Sequence, residues 1–120
     1  MPTRSSDTVK VRFLDRDRIV EELKRVALAL AGECPNVLEV RLFGSLAKGN
    51  HAPGSDADVL IVLRKDARPL LDRIPEFLRR FLDVSVPVEV FPYTCAELER
   101  MRQQDVSFIN SIDREGIRLA

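Results

Sequence analysis

The stretch VLEVRLFGSLAKGNHAPGSDADVLIVL, residues 37 to 63, decides the fold. Its first seven residues alternate between apolar and charged side chains, which is the pattern of a half-buried strand. The apolar face of that strand is formed by Leu38, Val40 and Leu42, and the opposite face by Glu39 and Arg41. The last five residues, VLIVL at 59 to 63, are continuously apolar, which predicts a central strand covered on both faces.

A turn and a polar loop separate the two strands. Gly44 and Ser45 interrupt the first strand, residues 46 to 48 can form a short helical turn, and residues 49 to 55 include Pro53 and Gly54. Ligand sites of α/β proteins commonly lie where such loops meet strand ends. We therefore expect a functional site around Gly44 and the loop that leads to Asp56.

Helical periodicity flanks this pair of strands. Apolar residues at positions 19, 23, 26 and 30 predict a first helix with one buried face, beginning near Asp15 or Asp17 and ending before Gly32. Apolar residues at positions 70, 74, 77, 78 and 81 predict another helix. Pro75 lies inside this second stripe, so we expect a kink there, or a further helix that starts at the proline.

The remaining elements complete a small sheet. Residues 86 to 91 read as a third strand, and Pro87 places that strand at an edge or a bulge. Thr94 to Glu97 fits a capping box that opens an amphipathic helix. Asp105 can cap a last short helix that ends at Gly116, and residues 117 to 119 can form a final strand. Helices that alternate with strands predict an α/β (α+β) fold, as one domain over residues 1–120.

Composition restricts the class of protein. The chain has 120 residues, of which 45% are hydrophobic and 32% charged, as in an ordinary globular domain. Its 19 basic and 19 acidic residues cancel, which argues against a protein that coats nucleic acid. No apolar run approaches the roughly 20 residues that span a bilayer, and residues 1 to 10 lack a signal-peptide core. We expect a cytoplasmic protein that does not contact membranes.

The cysteines and the histidine give no sign of a metal centre. Cys34 and Cys95 are far apart in sequence and share no metal-ligand spacing, so we interpret both as reduced thiols. His51 is the one histidine of the chain and lies in the polar loop. These residues argue against a zinc site built from Cys and His.

Two aspartates lead directly into the most apolar strand. Asp56 and Asp58 are two residues apart, so on a strand their side chains point to the same face. Like charges so placed repel one another unless a cation lies between them, and such hard oxygen ligands suit Mg²⁺. Taken alone, the pair could also be an Asx-type turn at the start of a strand, just as Gly44-Ser45 could be an ordinary turn.

A third acid comes from the third predicted strand. Glu89 stands in the middle of the apolar run Val88 to Phe91. If that strand neighbours residues 59 to 63, Glu89 can complete a cluster of three carboxylates. The alternatives are that Glu89 faces outward on an edge strand, or that Asp83 takes the third place, although Asp83 falls at a helix end.

The spacing of these features resembles a known signature. Gly44-Ser45, then ten residues, then Asp56-x-Asp58 is similar to the signature of the DNA polymerase beta-like nucleotidyltransferases. More narrowly, the chain resembles the minimal nucleotidyltransferases, the MNT group of prokaryotes. The resemblance extends to the segment Val88 to Thr94 that enters a helix, and to the closing Glu115-Gly116-Ile117. It implies the nucleotidyltransferase fold, with a small mixed sheet of three to four strands flanked by helices.

The resemblance also implies roles for these residues. Asp56, Asp58 and Glu89 would be the catalytic residues and the ligands of Mg²⁺, with two ions expected. Gly44, Ser45 and Lys48 would hold the phosphates of a nucleoside triphosphate. The implied reaction moves a nucleoside monophosphate, with ATP as the expected donor of AMP, to a hydroxyl acceptor.

Two positions depart from the pattern of many relatives. Those relatives read Gly-Ser-Arg-Ala-Arg-Gly where this chain reads GSLAKG at residues 44 to 49. Leu46 replaces the first arginine, and Lys48 offers a point charge in place of the bidentate second one. The metal ligands are unaffected, but the grip on phosphate is altered. The third acid, Glu89, stands where aspartate is also common.

Three functions follow from the resemblance and the composition. The first is an active transferase, a protein adenylyltransferase that modifies a HEPN-type partner protein as the antitoxin of a toxin–antitoxin pair. The second is an antitoxin that acts by contact with weak or no catalysis. The third, a polymerase-like enzyme acting on nucleic acid, is disfavoured because the net charge is zero. The chain is too short for a separate acceptor domain, so we expect the acceptor to be bound by a shallow site, by a homo-oligomer or by a partner protein.

Overall fold

The structure is a computed structural model. It describes the backbone at residues 3–49 and 56–120, and the side chains at residues 16–49 and 56–120. The predicted loop beyond Gly49, with His51, and the side chain of Asp15 lie outside the described residues. Within the described ranges, no helix combines the length and the hydropathy of a membrane span.

Four strands form one mixed sheet. They are β1 (Val37–Phe43), β2 (Ala57–Leu63), β3 (Val88–Thr94) and β4 (Ile117–Arg118), in the spatial order β3-β2-β1-β4. β1 pairs antiparallel with β2 and with β4, whereas β2 and β3 run parallel. The predicted mixed α/β architecture is confirmed, and β3 lies at an edge of the sheet as Pro87 indicated.

The bounds of three strands differ from the sequence prediction. β4 ends at Arg118, one residue earlier than predicted. β2 begins at Ala57 rather than Val59, so that Asp58 lies inside the strand. β3 runs from Val88 to Thr94 rather than from residue 86 to residue 91, and it contains Pro92. Because a proline cannot donate to a ladder, it is tolerated only where its nitrogen faces away from the neighbouring strand.

The face assigned to Leu38 was wrong. The register of β1 against β2 shifts between Val37 and Glu39, which is a bulge. Val37 is therefore buried and Leu38 is 38% exposed, whereas Val40 and Leu42 are fully buried as predicted. A bulge inserts one residue into the alternation, so the residues before it change face.

The first helix, α1 (Thr3–Glu33), begins earlier and ends later than predicted. Asp15 and Asp17 therefore lie within the helix and do not start it. No proline or glycine occurs between residue 3 and Gly32, so nothing in the backbone stops the helix sooner. Gly32 is itself helical, at a cost of about 1 kcal/mol relative to alanine, and the helix ends one residue later.

The helix over the second apolar stripe, α3 (Leu70–Leu78), continues through Pro75 and is followed by a 3-10 turn, Arg79–Phe81. No new helix begins at the proline. Pro75 removes the hydrogen bond to the carbonyl of Leu71, but Leu71 is 77% exposed, so water can reach that end of the turn.

The last two helices are α4 (Cys95–Gln103) and α5 (Ser107–Glu115). Thr94 and Glu97 form the predicted capping box at the start of α4, and Gly116 ends α5 as predicted. Asp105 does not cap α5. Its φ is 55°, a left-handed conformation that aspartate tolerates, and Val106 holds the cap position instead.

Helices cover both faces of the sheet. One face packs against α1 and α3 through side chains that include Leu23, Leu30, Val40, Ile61 and Phe77. The other packs against α4 and α5 through Leu60, Val62, Leu98, Ile109 and Ile112. Alternate residues of β2 thus enter two different cores, as its continuous apolar run indicated. Cys34 and Cys95 are both free thiols.

A buried arginine connects α3, β3 and α4. The guanidinium of Arg73 donates to the two carboxylate oxygens of Glu97, at 2.7 and 3.0 Å. It also donates to the backbone carbonyls of Pro92, Asp66 and Arg68 at 2.9 to 3.1 Å. The hydrogen bond from Arg73 lowers the pKa of Glu97 to about 2. This network fixes the far end of β3 against the helices that flank it.

Candidate active site

The carboxylates lie in one row across the sheet. The strand pairing places Phe43 of β1 opposite Asp58 of β2, and Asp58 opposite Glu89 of β3. Side chains of paired residues share a face of the sheet. Asp56 precedes the strand by one residue, so it stands beside the same row. Asp83, the alternative third acid, lies outside β3, and Glu89 rather than Asp83 is the neighbour of Asp58.

Gly44 lies directly against Asp58. Its φ of 80° and ψ of −159° are accessible to glycine but not to other residues without strain. A Cβ atom built on Gly44 would come within 2.5 Å of Oδ2 of Asp58. The absence of a side chain at residue 44 therefore allows the Asp58 carboxylate to pack onto the turn.

The turn after Gly44 is the predicted short helix, α2 (Ser45–Lys48). The N–H of Lys48 donates to the carbonyl of Gly44 at 3.1 Å, and that of Gly49 to Ser45 at 3.0 Å. Gly49 closes the turn in the left-handed conformation, with φ of 79°. Ser45 is partly exposed at the start of the turn.

Burial and like charge act together on Asp58. Its partial burial raises the pKa of the carboxyl above its usual 3.8, and the nearby charges of Glu89 and Asp56 raise it further. Asp56 and Glu89 are exposed. Among the described residues, none of the three acids takes part in an ion pair with a basic side chain. The row is thus a concentration of negative charge that a cation would stabilise.

The donor set fits Mg²⁺ in chemistry, because the ion prefers hard carboxylate oxygens. Within residues 16–49 and 56–120, however, no three His, Cys, Asp or Glu side chains converge closely enough to hold one ion as they stand. Asp58 is fixed by the strand and by Gly44. Asp56 and Glu89 are exposed, so a change of rotamer can bring their carboxylates toward Asp58 without moving the core.

Lys48, an expected phosphate ligand, and Leu46, which replaces an arginine of many relatives, are both engaged elsewhere. The side chain of Leu46 is 2% exposed and belongs to the core between the sheet and α1. The ammonium of Lys48 lies 3.2 Å from the carboxylate of Glu115, at the end of α5. Both partners of this pair are about 40% exposed, so the pair is weak and Lys48 can exchange partners.

Arg16 stabilises the turn through hydrogen bonds to its carbonyl groups, a role that the sequence did not indicate. Its Nε donates to the carbonyl of Leu46 at 2.9 Å, and its Nη2 to the carbonyl of Ala47 at 3.3 Å. A cation at these carbonyls satisfies acceptors that a helix of four residues leaves free. No local pattern reveals this contact, since Arg16 and Leu46 are 30 residues apart.

Aromatic side chains adjoin the row of acids. Phe43 contacts Phe91 and Phe108, with ring centroids 5.2 Å apart in each pair, and Phe91 lies two residues beyond Glu89 on β3. Tyr93, four residues beyond Glu89 on the same strand, extends the group and lies 6.1 Å from Phe108. These partly buried rings pack between β1, β3 and α5, and they form the wall of the site on the side of the second core.

Comparison with known proteins identifies the family. The model of the nucleotidyltransferase domain matches residues 16–117, which include every site residue described above. The chain belongs to the nucleotidyltransferase domain family. This membership agrees with the resemblance to the minimal nucleotidyltransferases and supports nucleotidyl transfer as the general chemistry of the domain.

Solved structures share the fold of this nucleotidyltransferase domain. A candidate nucleotidyltransferase from Sulfolobus solfataricus is similar with a TM-score of 0.64 and 21% identity, over 88% of this chain and 83% of that one. A toxin–antitoxin structure with AMP-PNP is similar with a TM-score of 0.55 and 17% identity, over 84% of this chain and 72% of that one. No curated protein sequence matches the chain significantly.

Proposed function

We propose that this nucleotidyltransferase domain is Mg²⁺-dependent and moves AMP from ATP to a hydroxyl group on a partner protein. The observation that carries the proposal is the register row in which Asp58 stands between the Gly44 turn and Glu89. It combines a turn that a ligand can approach closely with a partly buried carboxyl, that of Asp58, whose pKa is raised by burial and by the charges of Glu89 and Asp56. The toxin–antitoxin neighbour with AMP-PNP supports a nucleotide and a partner protein.

The residues divide the reaction between them. The acceptor oxygen forms a bond to the α-phosphorus while the bond from that phosphorus to the bridging oxygen breaks, and pyrophosphate leaves. Glu89, at the exposed end of the row, can take the proton of the acceptor hydroxyl. Mg²⁺ held by Asp56, Asp58 and Glu89 would lower the pKa of that hydroxyl and balance the charge of the phosphates. Gly44 and Ser45 would lie against the phosphates.

The acceptor in this proposal is a HEPN-type protein, and the domain is the antitoxin that adenylylates it. The support is the family resemblance together with the toxin–antitoxin neighbour. The geometry also supports a partner, because Asp56 and Glu89 are exposed and, among the described residues, no strand lies on the outer side of β3. Without a second surface, water would compete with the hydroxyl for the α-phosphorus.

A second function is favoured by a specific observation. Leu46 is part of the core and Lys48 pairs with Glu115, so two positions of the phosphate grip are occupied with packing and ion pairing. A domain with a weakened grip on phosphate could neutralise its partner by contact alone. The two functions differ in whether the carboxylates are needed.

Transfer of label separates the two functions. The domain is incubated with ATP labelled on the α-phosphate, Mg²⁺ and the product of the neighbouring gene, and label on that product is measured. We expect transfer by the wild type and none by Asp56→Asn, an isosteric change at an exposed residue. Asp83→Asn is the matched control, because Asp83 is exposed and outside the row, and it should transfer normally.

The same variants decide the biological role. If Asp56→Asn protects cells from the partner as well as the wild type does, neutralisation is by contact and adenylylation is not the mechanism. If the variant loses both label transfer and protection while it still binds the partner, the transferase function stands.

A further inference from the structure

An apolar groove runs along the free edge of β3, next to the candidate active site. One part, of about 220 Å³, is lined by Ile74 and Leu78 of α3 and by residues 88 to 91 of the strand, Glu89 among them. The next part, of about 240 Å³, shares Leu78 and Val88 with the first and continues past Leu82. Glu89 therefore belongs both to the row of acids and to the wall of this groove.

The backbone of β3 offers hydrogen bonds toward the groove. The N–H of Ala57 donates to the carbonyl of Pro87, so in this parallel register the odd-numbered residues of β3 bond to β2. The N–H and C=O groups of Val88 and Val90 consequently point to the free edge. In the part of the chain that the structure describes, no strand covers them.

A proline closes one end of the open edge. Pro92 is even-numbered, so its ring faces outward where an N–H would otherwise be. Prolines at edges are a common defence against uncontrolled strand pairing. The outward groups of Val88 and Val90 therefore form a short open stretch that ends at Pro92, and Leu82 at the groove is 71% exposed.

We propose that this groove binds an extended segment of the acceptor protein as an added strand, which presents its hydroxyl residue to Glu89. The inference rests on the proposed function and names how the acceptor is recognised. The free edge requires a partner with backbone donors and acceptors, which a polypeptide strand supplies. The groove adds contacts for apolar side chains.

The register predicts the sequence of the segment. In a sheet, residues that lie side by side on neighbouring strands point to the same face. A residue opposite Glu89 thus shares the face of the acids, whereas its two neighbours lie opposite Val88 and Val90, on the face of Ile74 and Leu78. The segment therefore has the pattern apolar, hydroxyl, apolar.

A labelled heptapeptide, Lys-Ser-Val-Tyr-Val-Ser-Lys, tests this inference on the whole chain. Binding is followed by fluorescence anisotropy and by the amide NMR signals of Val88 and Val90, which should shift and become protected from exchange. The same peptide with N-methyl groups on the tyrosine and on both valines lacks the amide donors that either strand orientation would use, and it should bind at least tenfold more weakly.

Variants locate the site. Leu82→Glu places a charge in the groove, and Val88→Pro removes an outward N–H without touching the bonds to β2, so each should weaken binding at least tenfold. Leu71→Glu is the matched control, since Leu71 is 77% exposed but lines neither part of the groove. It should bind the peptide like the wild type, and thermal unfolding verifies that all variants fold.

The outcomes separate this inference from the function on which it rests. Asp56→Asn should abolish transfer of AMP to the peptide tyrosine and leave peptide binding intact, whereas Leu82→Glu should reduce both. Failure of the peptide to bind, equal binding by Leu82→Glu and Leu71→Glu, or equal binding of the N-methylated peptide overturns the docking proposal. So does protection of Val88 and Val90 that grows with protein concentration in the absence of peptide, because a second copy would then occupy the edge.

Discussion

Replacing Gly44 by alanine should weaken the fold and disable the site together. The φ of 80° with ψ of −159° lies in a region that is essentially restricted to glycine, and it costs a residue with a side chain about 1–3 kcal/mol. The new Cβ would also lie 2.5 Å from Oδ2 of Asp58, closer than any relaxed contact, so the carboxylate must turn away. Because Asp58 lies within a central strand, the backbone of β2 cannot retreat with it. We expect a loss of about 2 kcal/mol in the free energy of unfolding.

The loss of transfer activity should be larger than the loss of stability suggests. A displacement of about 1 Å in a catalytic group can cost about 100-fold in rate, and the Asp58 carboxylate has to move by about that much to escape the Cβ. Urea unfolding gives the stability. Transfer of labelled AMP at saturating Mg²⁺ gives the rate, measured at a temperature where the variant is fully folded.

Gly32→Ala is the matched control for this prediction. A Cβ on Gly32 meets no atom within 4 Å, and the residue is helical, so alanine should raise the free energy of unfolding by about 0.5–1 kcal/mol. Its transfer rate should equal that of the wild type. The account of the Gly44 turn fails if Gly44→Ala keeps wild-type stability and transfer, or if both glycine variants behave alike.

Three further outcomes follow from the contacts described above. Arg73→Met should lower the free energy of unfolding by about 3 kcal/mol in urea titrations, because it strips Glu97 and three carbonyls of a buried partner. Glu97→Gln should be less stable than the wild type above pH 4.5, and the difference should fade as the pH drops toward about 2, since a lowered pKa contributes stability only while the carboxylate is ionised. Lys48→Met should change the free energy of unfolding by less than about 1 kcal/mol, because the ion pair of Lys48 with Glu115 is exposed. A rise in the KM for ATP would assign Lys48 to phosphate binding, and an unchanged KM would show that Lys48 is not part of the site.

Local patterns were sufficient for the elements around the site. The bounds of β1 followed from the alternation of apolar and charged residues, and the short turn followed from Gly44. The capping box could be predicted because Thr94 and Glu97 are only three residues apart. The neighbour relation of Asp58 and Glu89 needed one assumption beyond local pattern, that β2 and β3 are adjacent, and the sheet order bears it out.

What could not be predicted depends on distant contacts. The bulge that exposes Leu38 is a property of pairing between two strands, and alternation within one strand does not contain it. Arg73 looks like a surface residue until Glu97, 24 positions later, is folded against it. Leu46 reads as a lost arginine in the sequence, whereas the structure shows a core side chain whose position α1 determines.

The row that joins Phe43, Asp58 and Glu89 also links ligand affinity to the order in which the sheet assembles. Phe43 and Asp58 come together when β1 and β2 form their antiparallel pair. Glu89 joins them only when β3 pairs in parallel with β2, after the connection through α3, and pairings between residues so distant in sequence form slowly. A ligand that contacts both Asp58 and Glu89 therefore stabilises the pairing of the edge strand β3 with β2. Its binding free energy is added to the cost of detaching β3, so amide exchange along β3 should slow when the site is filled, more than exchange along β1.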